Sequence, residues 1–301
     1  MLTLQAPAKI NLTLEVLGKR SDGFHEIKSV VQTISLCDRL IFNLSDDISF
    51  LSSLPGWKAE ESLVLKAVNL LREATGCKKG VSIEIEKSIP LFAGLGGDSS
   101  DGAATIIGLN RLWELKLPKE KMLELTAKLG SDVPLFLSGG TVLMEGKGEK
   151  VSELPPYPHM WLVILVPDVE TGQGKTGQMY SRIKPSQYSD GGITDRLVGL
   201  LNGSEDMELI MNEFGITRER FTVFLNNVFD DVAPDYFKGL NAYWQKFIDA
   251  GAKVIHVCGS GPALYGLFET KDEASVVYSR LKEQVIRCFL VNTTGNMGCL
   301  S

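Results

Sequence analysis

Pro90-Leu91-Phe92-Ala93-Gly94-Leu95-Gly96-Gly97-Asp98-Ser99-Ser100-Asp101-Gly102-Ala103-Ala104 is the stretch on which the reading of this chain turns. Its glycines let backbone N–H groups come close to an anion, and the helix expected from about Ser99 to Trp113 aims its positive end at the same point. Serine hydroxyls at that helix start can bond a phosphate or ligate Mg²⁺. Upstream, Val81, Ile83 and Ile85 alternate with polar residues and lead through Lys87 into the turn, so the local order is strand, loop, helix. The plainer alternative is a glycine-rich turn with Ser99 or Ser100 as the N-cap.

Working outward, Ile10, Leu12, Leu14 and Val16 alternate with Lys9, Asn11, Thr13 and Glu15, the period of a half-buried strand with a polar second face. Phe24 to Leu36 and Arg39 to Leu44 read as further strands, giving an antiparallel N-terminal sheet. A helix is expected from Ser62 to Ala74, another after Pro118 with Gly130 as its cap, a short one within Ser131 to Leu137, and a hairpin over Gly139 to Val151. Glu153 to Pro158 carries three prolines and reads as a linker. Beyond it come a strand at Trp161 to Val166, helices near Glu205 to Phe214, Arg218 to Phe229 and Asp235 to Ala250, and strands at Lys253 to Cys258 and Ala263 to Phe268. A helix at Lys271 to Gln284 and a strand at Val285 to Asn292 follow, a β-α-β-β-α-β order with extra helices.

Three further motifs are weaker taken singly. Cys258-Gly259-Ser260-Gly261-Pro262-Ala263 has the form of a hairpin turn. In Gly130-Ser131-Asp132-Val133-Pro134 an acid stands before a helix-starting proline, where an N-cap aspartate would suffice. Gly172-Gln173-Gly174-Lys175-Thr176 resembles a Walker A loop, but Val169 stands where its first glycine is required, so it reads as a mobile loop.

Composition narrows the partners. The 301 residues are 44% apolar and 23% charged, enough for two domains with real cores. A net charge of −6 and a pI near 5.3 argue against nucleic acid or an anionic membrane as the main partner. Five scattered cysteines without a C-x-x-C pair fit reduced thiols in a cytoplasmic setting. No apolar run approaches the ~20 residues of a membrane helix, and strand-like sequence from Met1 onward speaks against a transit peptide.

Taken together and in order, Pro7-Ala8-Lys9-Ile10-Asn11-Leu12, the Pro90 to Ala104 stretch and Cys258 to Ala263 resemble the three motifs of the GHMP kinase superfamily. The likeness spans nearly the whole chain. It implies an α+β, two-domain fold: residues 1–155 as an N-terminal domain like ribosomal protein S5 domain 2, and residues 156–301 as a ferredoxin-like C-terminal domain. Arg20-Ser21-Asp22-Gly23-Phe24-His25 and Gly130 to Phe136 are similar to the branch that uses ATP and Mg²⁺ to phosphorylate one hydroxyl of a cytidine diphosphate conjugate of methylerythritol, a step of non-mevalonate isoprenoid synthesis. That resemblance implies a small-molecule kinase acting as monomer or homodimer.

By the same resemblance Asp132 takes the proton of the attacking hydroxyl, and Lys9 steadies its charge, since a cation within ~4–6 Å favours a carboxylate. Asn11 arranges the acceptor, His25 reads the cytosine edge and Phe24 stacks on the base. Lys87, Gly94, Leu95, Gly96, Gly97, Ser99 and Ser100 serve ATP. The chain departs from the pattern with Phe24 in place of tyrosine, and with Phe92 and Asp98 in place of glycines. Two like charges ~4 Å apart at an effective dielectric of about 20 repel by about 4 kcal/mol, so Asp98 must turn away, bind Mg²⁺ or weaken ATP binding. Alternatives are a sister kinase of the homoserine or mevalonate type, which has no use for a base-stacking pair, and a nucleotide-binding sensor without turnover, which has no use for Lys9 and Asp132.

Overall fold

A computed structural model describes residues 1–203, 222 and 224–295. Strands β1 (Leu2–Asn11), β2 (Thr13–Lys19), β3 (His25–Ser45), β4 (Ile48–Ser52), β5 (Gly80–Glu86), β6 (Thr141–Gly146), β7 (Lys150–Glu153) and β9 (Asn226–Asn227) make one eight-stranded sheet. The others, β8 (Trp161–Leu165), β10 (Ile255–Val257), β11 (Leu264–Phe268) and β12 (Cys288–Asn292), make a second, antiparallel sheet in the order β10-β11-β8-β12. That order with a helix in each crossover is the ferredoxin-like arrangement expected for the second half.

The pair of strands expected over residues 24–44 is one 21-residue strand. Its first part pairs with β2 and β6 and its second with β1 and β5, so Cys37 and Asp38 continue the ladder instead of breaking it. The one strand expected over residues 9–16 is two, β1 and β2, parted by a bend at Leu12; the alternation runs through both, but its polar face is not solvated: Lys9, Asn11, Thr13 and Glu15 are all buried. The pattern reported two distinct faces and could not report that both are covered.

The helices among the described residues are α1 (Leu63–Thr75), α2 (Gly97–Leu112), α3 (Lys119–Leu129), α4 (Leu135–Ser138), α5 (Lys175–Ser181), α6 (Gly192–Leu201), α7 (Ala233–Tyr236), α8 (Leu240–Asp249) and α9 (Lys271–Glu283). Every residue of α2 from Ser100 to Leu109 is buried, the profile of a helix enclosed on all sides. α2 starts at Gly97, so neither Ser99 nor Ser100 is its N-cap. The helix expected over Asp235 to Ala250 is two, interrupted at Gly239, whose φ is 89°. The helix expected at Glu205 to Phe214 lies outside the described residues, as does the first part of that at Arg218 to Phe229. The described end of the latter is β9 and a single 3₁₀ turn, Val228–Asp230.

Glu153 to Pro158 is not a free linker, because Leu154 and Tyr157 are buried in the core and both their N–H groups bond Thr141. Nor is residues 172–176 a mobile loop: it runs into α5, a helix the glycine-rich composition concealed. The chain's two halves share a sheet, since β9 adds in parallel to β2 through Thr13 and Leu14.

Candidate active site

The N-terminal strand motif and the two glycine-bearing motifs meet at one point. The Lys9 N–H donates to the Leu95 carbonyl (2.9 Å), which ties β1 to the glycine loop, and the Ala263 N–H donates to the Ala93 carbonyl (3.1 Å), which ties in the Cys258 to Ala263 turn. Contact is close enough to exclude side chains. A Cβ on Gly94 would sit 1.9 Å from the Cys258 carbonyl oxygen, and one on Gly259 would lie 2.9 Å from Lys9 Nζ. The hairpin-turn reading of 258–263 is correct in outline, and the turn also buttresses the glycine loop.

These elements border a cleft of about 1320 Å³. All the sequence-predicted site residues reach it except Ser100, which is buried in α2 with its hydroxyl unpartnered among the described residues. Lys9 Nζ lies 3.5 Å from Asp132 Oδ2 and donates to Asn11 Oδ1 at 2.8 Å. Asn11 is fixed in turn by its amide donating to Ser29 Oγ (2.8 Å). Lys9 is almost wholly buried, whereas the Asp132 side chain keeps 40% of its exposure, so the carboxylate is open to a substrate and the ammonium is held behind it. Asp132 is not the N-cap of α4; that position falls to Pro134.

Phe24 stands 52% exposed at the cleft with the Lys147 ammonium 4.6 Å above its ring. His25 stacks on Tyr180 at 5.4 Å between centroids and 24° between planes, and burial, then Lys19, lowers its pKa. Tyr180 and Lys147 escaped the sequence reading because their nearness to residues 24–25 is purely tertiary.

Asp98 turns away from the loop. Its carboxylate accepts from Ser62 Oγ (2.8 Å) and the Leu63 N–H (3.1 Å), so it caps α1 across 35 residues of sequence. Lys87, expected beside the ATP site, borders the cleft and is held by two carboxylates. Its ammonium is held by Asp38 (2.5 Å) and Asp101 (2.7 Å) beneath the loop. Burial works against the Lys87 charge, but Asp101 and Asp38 outweigh it and raise its pKa. Asp101, desolvated, is pushed up to about 8 despite Lys87.

Lys175 is the cation the sequence reading dismissed. It is buried, donates to the Phe92 carbonyl (3.1 Å) and to the Gly261 carbonyl, and is lowered to about 7 by burial and then by Lys9. Failure of the Walker A pattern was a sound reason to reject a nucleotide loop. It carried no information on where the lysine packs.

Residues 62–140 match the model of the GHMP kinases N terminal domain, and residues 206–287 match that of the GHMP kinases C terminal. A protein of Dehalococcoides mccartyi named 4-diphosphocytidyl-2-C-methyl-D-erythritol kinase is 43% identical over 98% of this chain and 99% of its own. The chain belongs to the GHMP kinases. A Bacillus cereus GHMP kinase of the same name is 35% identical over 98% of this chain and 97% of its own. Among solved structures, one titled 4-(cytidine 5'-diphospho)-2C-methyl-D-erythritol kinase superposes with a TM-score of 0.78 at 28% identity, covering 98% of this chain and 100% of that one. The homoserine kinase of Cytophaga hutchinsonii, at 0.70 and 21%, covering 98% and 95%, shares the GHMP fold.

Proposed function

We propose that this chain transfers the terminal phosphoryl group of ATP to a hydroxyl of 4-diphosphocytidyl-2-C-methyl-D-erythritol, within non-mevalonate isoprenoid synthesis. The full-length relatives bearing that kinase name support the reaction. The observation that carries it is the Lys9–Asp132 pair, 3.5 Å apart, in the same cleft as the glycine loop and the Phe24–His25 aromatic corner.

Phosphoryl transfer needs little covalent help from a protein, so positioning and charge are its tools. Asp132 accepts the proton of the attacking hydroxyl, with Lys9 supplying positive charge beside the carboxylate and toward the transferred group. Asn11, locked by Ser29, fixes the direction of the Lys9 ammonium. Backbone N–H groups at Gly94 to Gly97 and the start of α2 receive the phosphates, joined by the Ser99 hydroxyl. Phe24 offers a face to the cytosine, and His25, held by Tyr180, offers a hydrogen bond to its edge. Ser100, buried in α2, acts from behind the loop, whereas Lys87 reaches the cleft while held by Asp38 and Asp101.

Mg²⁺ belongs to this reading as the ion that neutralises phosphate charge. The described residues hold no cluster of three or more carboxylate, imidazole or thiol groups. When bound, such a hard cation would take most of its ligands from phosphate oxygens and water, and the Ser99 hydroxyl at the cleft is the protein group that would reach it. The reading also divides the chain at 155/156, with β9 lent by the second part to the first, and takes the enzyme as cytoplasmic and monomeric or homodimeric.

A coupled ADP assay with the cytidine diphosphate conjugate, homoserine and mevalonate as acceptors tests it. ADP formation is expected with the conjugate alone, and Asp132→Ala is expected to lower kcat by about 10²–10⁴-fold, the usual share of a general base. Equal rates with homoserine or mevalonate, or an unaffected Asp132→Ala variant, would refute the assignment.

A further inference from the structure

Phe92 stands in the phosphate loop at φ = 54°, a left-handed conformation that costs a residue with a Cβ and that glycine adopts freely. Phe92 is 46% exposed, so side-chain packing does little to hold the backbone there. What holds it is its carbonyl oxygen, which accepts from Lys175 Nζ at 3.1 Å and from Thr171 Oγ1 at 3.5 Å. The same Lys175 nitrogen donates to the Gly261 carbonyl in the buttressing turn, and the next residue, Thr176, bonds Ser260 (3.2 Å). The start of α5 thus clasps the phosphate loop to the 258–263 turn. An amine keeps at least two N–H groups whether protonated or not, one for each carbonyl.

We propose that Lys175 is the positioning residue of the phosphate loop: by holding the Phe92 carbonyl it keeps a non-glycine residue in the left-handed turn from which the loop presents its N–H groups to the donor phosphates. Lys175 and Phe92 are therefore a compensating pair. Strained backbone persists only where its surroundings over-determine it. Two adjacent carbonyls deprived of their shared donor would repel each other and relax the turn. This inference rests on ATP as the donor and is independent of which alcohol accepts the phosphate.

The experiment compares wild type, Lys175→Met, Phe92→Gly and the double variant. It measures dissociation constants for a non-hydrolysable ATP analogue, and KM for ATP and for the acceptor. Lys175→Met is expected to weaken the analogue and raise KM for ATP by about tenfold, or ~1.4 kcal/mol, with acceptor KM nearly unchanged. In the Phe92→Gly background the same substitution is expected to cost about twofold or less, because glycine needs no clasp. Equal losses in both backgrounds, an acceptor KM that rises in step with that of ATP, or no change in ATP affinity would overturn the proposal. Should Lys175→Met alone be insoluble, the double variant is expected to fold and bind the analogue, and its equal loss would overturn it too. A wild type that phosphorylates a different alcohol, with this ATP pattern intact, would refute the acceptor and leave the clasp standing.

Discussion

A methyl group at residue 94 has nowhere to go. With φ at 87° and the Cys258 carbonyl 1.9 Å from where a Cβ would lie, Gly94→Ala has to displace either the glycine loop or its buttress. The expected loss is at least ~2–4 kcal/mol of stability, combining strain and overpacking, read as a lowered urea midpoint together with lost ATP-analogue binding. Lys9→Ala removes a buried cation whose neighbours are Asn11 and Asp132, and kcat is expected to fall by about a hundredfold or more, as when one preorganised donor is lost, with KM for ATP changing less. Both positions were legible in the sequence, because glycines and a lysine at motif spacing announce their chemistry. Lys175 was not: whether a lysine ends in water or between two carbonyls is decided by residues 83 and 86 positions away.

Between α1 and α2 the acid at 98 joins two elements. Ser62 accepts from the Val64 N–H while donating to Asp98, and Asp98 takes the Leu63 N–H, so two of the open donors at the α1 start are satisfied. Asp98→Ala is expected to cost about 1 kcal/mol, the worth of a helix cap, in a denaturant titration. ATP affinity is expected to hold or tighten, since a negative charge leaves the neighbourhood of the phosphates. Weaker ATP binding in this variant would instead assign Asp98 to the metal. Element types were read well wherever the period was long: the β1–β2 alternation, α1, α9 and the antiparallel second sheet all follow from it. Boundaries failed where packing overrode local signals. Cys37 and Asp38 look like a break between strands, but Asp38 is wanted inside the ladder to receive Lys87 and the Ser88 and Ile89 N–H groups. α5 and α6 went unseen because glycine-rich starts are indistinguishable from loops until a core closes over them.

At the scale of the whole molecule, Asp38, Lys87 and Asp101 pin β3, the end of β5 and α2 together beneath the loop. Asp101 carries a raised pKa of about 8, so the folded protein binds a proton there that the unfolded chain has released above its usual carboxylate range. That contribution to stability is complete at low pH and is lost as pH rises through about 8. Asp101→Asn, which imitates the protonated acid, is expected to flatten this decline and to raise the melting midpoint at pH 9 by a few degrees, at about 2–4 °C per kcal/mol for a protein of this size. A midpoint that falls equally with pH in both proteins would place the proton elsewhere. The parallel strand β9 has a consequence for how the chain can be made or cut. During synthesis the rim of β2 waits for a pair of asparagines more than two hundred residues downstream, so an N-terminal fragment ending near residue 155 emerges with a raw strand edge. Such a fragment is a candidate for edge-to-edge association, and supplying the missing half in trans is the natural way to quiet it.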